Sequence, residues 1–208
     1  MRRTIGVAVA VSALVAGAAS AAPSRDDLIR PGVGIAKARL GMTEAQVRKA
    51  MGRPLAVTRE RGAFGRRIVE LQYGYGSYNV QLTGTAGRER VVAVTTFMAA
   101  EKTPKGVGVG SLESQVQRAH PALRCEAFRT WHAGKYAFKG LKRLCYLGSR
   151  DDPQTVFYST GPTEQVAGPA PAPDAPIQES WPREARVREV IVRAPAYEHA
   201  DERRAREL

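Results

Sequence analysis

Cysteine and histidine are scarce in this chain, whose 208 residues hold two of the first and three of the second. That scarcity excludes an iron–sulfur ferredoxin, a multi-site zinc protein and a disulfide-dense miniprotein. Catalytic signatures are missing too. There is no Gly-x-Ser-x-Gly, no Ser-x-x-Lys and no cysteine with a plausible histidine partner. The glycines of 106–110 lack the P-loop Lys-Ser/Thr and miss Gly-x-Gly-x-x-Gly by one position. The histidines at 120, 132 and 199 share no metal-ligand spacing, and His120, before a proline at a helix end, suits the last carbonyls better than catalysis. No enzyme activity, catalytic residue, metal or cofactor is expected. What is present is a globular composition, 43% apolar and 25% charged.

Arg2 and Arg3 form a positive n-region, residues 5–19 carry no charge, and Ala19-Ser20-Ala21 offers small residues at −3 and −1. This reads as an export signal over residues 1–21, cut between Ala21 and Ala22. A retained anchor is the alternative, but 15 apolar residues span only about 22 Å of a roughly 30 Å hydrocarbon core. No cysteine follows the apolar stretch, which excludes lipoprotein anchoring, and no later run reaches 18 apolar residues. The expected location is secreted or periplasmic and cell-envelope, non-lipidated, without a transmembrane segment after cleavage.

Charge is unevenly spread. Residues 162–208 hold 7 basic and 9 acidic side chains, whereas residues 22–161 hold 23 basic and 11 acidic. The whole +12 excess therefore sits on the part expected to fold. A basic surface raises the nucleic-acid reading, but an exported protein seldom meets nucleic acid. Acidic proteins, anionic lipid headgroups and envelope polymers are the available counter-charges. A compositional origin competes with all of them, since Ala, Arg, Gly and Pro are abundant together, as GC-rich codons would make them.

Gly41-Met-Thr-Glu-Ala-Gln-Val-Arg-Lys-Ala50 recurs as Gly110-Ser-Leu-Glu-Ser-Gln-Val-Gln-Arg-Ala119, with five of ten positions identical at an offset of 69. Each copy has an apolar-glycine lead, Gly32-Val-Gly-Ile and Gly106-Val-Gly-Val. A duplicated unit is the reading, with chance matching in biased sequence as the alternative. Each copy predicts a short helix. Thr43 and Gln46 fit a capping box, Gly52 a C-terminal cap and Pro54 a stop; Ser111 is the expected N-cap of the second helix and Pro121 its stop.

Strand-like runs follow at 67–73, 78–83 and 91–96, and again at 123–131, 135–138, 144–147 and 155–159. The expected fold is α+β, two tandem units of a helix and a three-stranded antiparallel meander packed together. Their bounds are 22–102 and 103–161, followed by a Pro-rich linker at 162–178 and a mostly disordered charged tail at 179–208. Val187–Arg193 is strand-like, but has too little apolar surface to fold alone.

Cys125 and Cys145 are the one cysteine pair of an exported chain, so a disulfide is expected, tying the first and third strands of the second unit. Around them, Arg124, Arg129, Lys135, Lys139, Lys142 and Arg143 face Glu126 alone and alternate with Phe128, Trp131, His132, Tyr136 and Phe138. Arginine and aromatics dominate protein interfaces. Tyr73, Tyr75 and Tyr78 form a smaller group in the first unit. The competing reading makes Phe128 and Phe138 core and the charges a solvated face.

Leu40-Gly-Met-Thr-Glu-Ala-Gln-Val47, followed by Gly52-Arg-Pro54, resembles the helix signature of the SmpA/OmlA family of small outer-membrane assembly lipoproteins. The tandem arrangement is also similar to that of the β-lactamase inhibitory protein. Both resemblances imply a non-catalytic α+β module that binds proteins through a sheet face. The lipoprotein cysteine is absent, the second unit lacks the Thr and the Gly-x-Pro ending, and no inhibitor contact residue carries over. The expected function is an exported protein-binding module, inhibitor-like or an envelope-assembly scaffold, whose unidentified partner is an acidic protein. The alternative is a binder of anionic envelope polymer or lipid headgroups.

Overall fold

The computed structural model describes residues 28–62, 66–132, 137–166 and 185–195. The expected export signal with its Ala21–Ala22 junction, most of the Pro-rich linker and the end of the tail lie outside the described residues.

Three two-residue strands, β1 (Ile29–Arg30), β2 (Gly34–Ile35) and β3 (Ala38–Arg39), form a small antiparallel sheet. Helix α1 (Glu44–Met51) follows, then β4 (Ala56–Arg61), β5 (Arg67–Tyr73), β6 (Tyr78–Gly84) and β7 (Arg90–Thr96). After α2 (Glu113–Ala119) come β8 (Arg124–His132), β9 (Ala137–Leu147), β10 (Gln154–Val166) and β11 (Val187–Arg193). The eight longer strands make one antiparallel sheet in the order β4-β5-β6-β7-β11-β10-β9-β8.

Local chemistry sets the helix ends. The Thr43 hydroxyl accepts from the Gln46 amide at 3.2 Å, and the Gln46 side chain accepts from the Thr43 amide at 2.8 Å. That reciprocal pair satisfies two orphan donors. Gly52, at φ +85°, ends α1. In α2 the cap is Leu112, not the expected Ser111, whose hydroxyl instead accepts from the Gly108 amide at 3.0 Å. The Glu113 amide donates to the Ala185 carbonyl at 2.9 Å, so the segment leading into β11 satisfies an α2 donor.

The expectation of two packed helix-and-meander units is overturned. The described chain is mostly β, with two short helices, and its long sheet runs through both halves without a break. The reason is the place of β11. It pairs with β7 from Val190↔Thr96 to Arg193↔Ala93, and with β10 from Gln154↔Arg193 to Ser159↔Val187. Left open, β7 and β10 would each present a row of unpaired backbone groups; β11 consumes both rows. Within the tail expected to be mostly disordered, the strand-like run Val187–Arg193 is this ordered strand. Val190, Ile191 and Val192 are all buried, the near-continuous apolar pattern of a strand shielded on both faces.

Side chains alternate between the two faces of this sheet. Val69, Leu71, Val80, Leu82, Phe157, Val190 and Val192 share one core with Val47 of α1, Val116 of α2 and Ile29, Ile35 and Ala38 of the small sheet. Ala93, Leu144, Tyr146, Val156, Tyr158 and Ile191 form a separate cluster on the other face.

Candidate anion-binding cleft

Cys125 and Cys145 are disulfide-bonded and stand directly opposite each other across the β8–β9 ladder, their Cα atoms 4.0 Å apart. They join neighbouring strands instead of a first and a third, because the runs read at 135–138 and 144–147 merge into the single strand β9. One Glu113 oxygen lies within 4.8 Å of both sulfurs. The sulfurs are spent on each other and offer no thiolate to a metal.

The basic-aromatic segment becomes the β8–β9 hairpin. Its backbone register sets Arg124 against Tyr146, Arg129 against Leu141 and Trp131 against Lys139. Lys135 and Tyr136 lie outside the described residues. Arg143 donates to Glu113 at 2.7 Å and ties β9 to the start of α2. Lys142 places its ammonium 5.4 Å from the Tyr158 ring centre, within cation–π reach.

Of the three tyrosines of the first half, Tyr73 and Tyr78 stand opposite each other in the β5–β6 ladder and pack with the core, while Tyr75 does not join them. Tyr73 is buried, and burial pushes its phenol pKa up. Tyr75 occupies the β5–β6 turn at φ +51° and is 98% exposed. Tyr78 donates its hydroxyl to Glu101, a buried carboxylate that also accepts from Thr96 at 2.9 Å.

A cleft that none of these groupings named opens at the other end of the hairpin. Arg124 and Glu126 of β8, Tyr146 of β9, Gln154 of β10, Arg193 of β11 and Arg150 of the β9–β10 turn line an open cavity of about 200 Å³. Arg193 forms its floor and is 7% exposed. Its Nε and one Nη donate to the Gln154 carbonyl oxygen at 3.1 and 2.9 Å, and its guanidinium lies 5.3 Å from the Tyr146 ring centre. Arg124, Glu126 and Arg150 are exposed at the rim. The turn carrying Arg150 is fixed: Ser149 donates to Asp152 at 2.7 Å, and the next strand's Thr155 hydroxyl accepts from the Gly32 amide at 3.0 Å. Three guanidinium groups against one carboxylate make the cleft electropositive, with planar donor forks that match oxyanions.

The chain matches no protein-family model, no characterised protein and no solved structure. Its site is read from its own chemistry. Sequence reasoning missed Arg150 and Arg193 because one sits in the turn between β9 and β10 and the other in the tail. The β8–β9–β10 pairings bring Arg150 to Arg124, and the Gln154↔Arg193 pairing adds Arg193. Among the described residues, no helix is long and apolar enough to cross a membrane.

Proposed function

We propose that this protein is an exported, non-enzymatic binding module that engages an acidic protein through the basic rim of the second face of its long sheet, the centre of that face being itself buried. The observation that carries this reading is the division of labour between the faces. Both helices and the small sheet share the core on one face. On the other, Lys142 sits over Tyr158, Arg193 sits over Tyr146, and Arg124 and Arg150 stand at the rim. Cations held on aromatic rings are pre-organised and lose less side-chain entropy on binding than free chains. Export rests on the N-terminal signal and agrees with the disulfide. The SmpA/OmlA-like helix signature adds an association with envelope proteins.

Immobilised wild-type chain should retain an acidic protein from culture fluid or a periplasmic extract, and Arg124→Glu plus Lys142→Glu should lose it. Equal recovery by both chains would reject this face as the interface. The second reading, an anionic envelope polymer or lipid headgroup, draws on the +12 net charge. Under it, retention should follow total charge and be indifferent to which basic residues are reversed.

A further inference from the structure

The arginine cleft opens beside a free sheet edge. Strand β8 is the last of the eight, and among the described residues nothing pairs with its outer side. The opposite edge, β4, is six residues long and mostly exposed, with Arg59 bonded to Glu44 at 2.9 Å. Strand β8 offers nine residues, and its first and third side chains, Arg124 and Glu126, are themselves walls of the cleft. An unpaired edge is a template for an added strand, whose main-chain bonds supply affinity while pockets along it supply specificity.

The cavity is too small for an ordinary small-molecule ligand, since such sites run from about 300 to 1,000 Å³. At about 200 Å³ it fits one or two side chains. Its charge selects acidic ones. A phosphate dianion would meet the Glu126 carboxylate directly, at higher charge than a carboxylate brings. A peptide strand instead brings N–H donors that Glu126 can accept from, beside carboxylates that Arg124 and Arg150 can hold in bidentate pairs.

We infer that an extended acidic peptide segment of the partner adds to the outer edge of β8 and places its carboxylates in the Arg124–Arg150–Arg193 cleft. This rests on the reading of the partner as an acidic protein and specifies how that partner is anchored. Main-chain pairing with β8 sets the register, and the arginines select acidic residues at the strand's start.

The test uses the full chain and a blocked hexapeptide with Asp-Glu at its centre and Val and Thr around it, followed by calorimetry and amide chemical shifts. The same peptide with Asn-Gln at its centre, and inorganic phosphate, are the controls. The acidic peptide should bind and shift the amides of β8, and affinity should fall about tenfold or more in Arg150→Ala and in Arg124→Ala. Both side chains are exposed, so neither variant threatens folding. Affinity unchanged in both variants would overturn the inference, as would binding of the Asn-Gln peptide with equal strength. Phosphate displacing the peptide while the β8 amides stay still would also overturn it, leaving a small-anion site. If a captured acidic protein remains sensitive to Arg124→Glu plus Lys142→Glu while the hexapeptide fails to bind, the anchoring inference falls and the proposed function stands.

Discussion

Gly34 and Gly108, the second glycines of the two apolar-glycine leads, have no room for a side chain. A Cβ on Gly34 would lie 2.1 Å from the Ala38 carbonyl oxygen, and one on Gly108 would lie 2.3 Å from that of Glu101. Neither neighbour is a flexible side-chain tip. Gly108→Ala should therefore cost about 2–4 kcal/mol of stability, measured by urea unfolding, and an unchanged midpoint would contradict the close approach. His120 is a residue whose protonation bears on folding. It is buried, its Nε2 has no partner among the described residues, and burial first and Lys105 second hold its pKa below the usual 6.5. The sign follows from linkage. Above pH 6.5 both folded and unfolded states carry neutral imidazole, so nothing is lost. As pH falls through the usual value, the unfolded chain binds the proton first, and stability drops until the lowered folded pKa is reached. Thermal unfolding of His120→Gln should be flatter with pH below about 6.5 than that of the wild type. Glu44 acts further down. Burial raises its pKa, but the Arg48 hydrogen bond and the charges of Arg59 and Arg48 outweigh it, so its contribution is lost as pH falls below the ordinary 4.5.

Strand β11 shows how an element acquires its state from its neighbours. Its sequence, Val-Arg-Glu-Val-Ile-Val-Arg, has too few apolar residues to fold alone. Placed between β7 and β10 it buries Val190, Ile191 and Val192, each contributing roughly 1.5–3 kcal/mol. It also holds α2: the Val187 carbonyl accepts from the Gly110 amide at 2.8 Å, and the Val187 amide donates to the Ser111 carbonyl at 2.9 Å. A chain ended after Ala185 should lose cooperative unfolding by circular dichroism, because two strand ladders and the Val187 bonds to the segment leading into α2 go together. Retention of a wild-type transition would show that the two halves of the sheet stand without it. Helix α1 is the opposite case. Thr43, Gln46, Gly52 and Pro54 act within one helix length, and its start and stop were readable from those residues alone.

On the scale of the whole molecule, the net charge of +12 and the single sheet decide what kind of association is open to it. A partner packed against the second face should keep most of its affinity between low and moderate salt, whereas a polyanion bound by diffuse charge should lose it steeply, with a log–log slope set by the cations engaged. Titration of the full chain at two ionic strengths separates the two. The sequence by itself determined the cysteine pair, the ends of α1 and the asymmetry of charge, because each depends on residues close together in the chain or on their count. Tertiary structure alone decided that β11 completes one continuous sheet and that Arg124, Arg150 and Arg193 meet at one cleft. Strand pairing over long separations is set by backbone bonds and by burial available only in the assembled sheet, and no local pattern encodes which edge a distant strand will close.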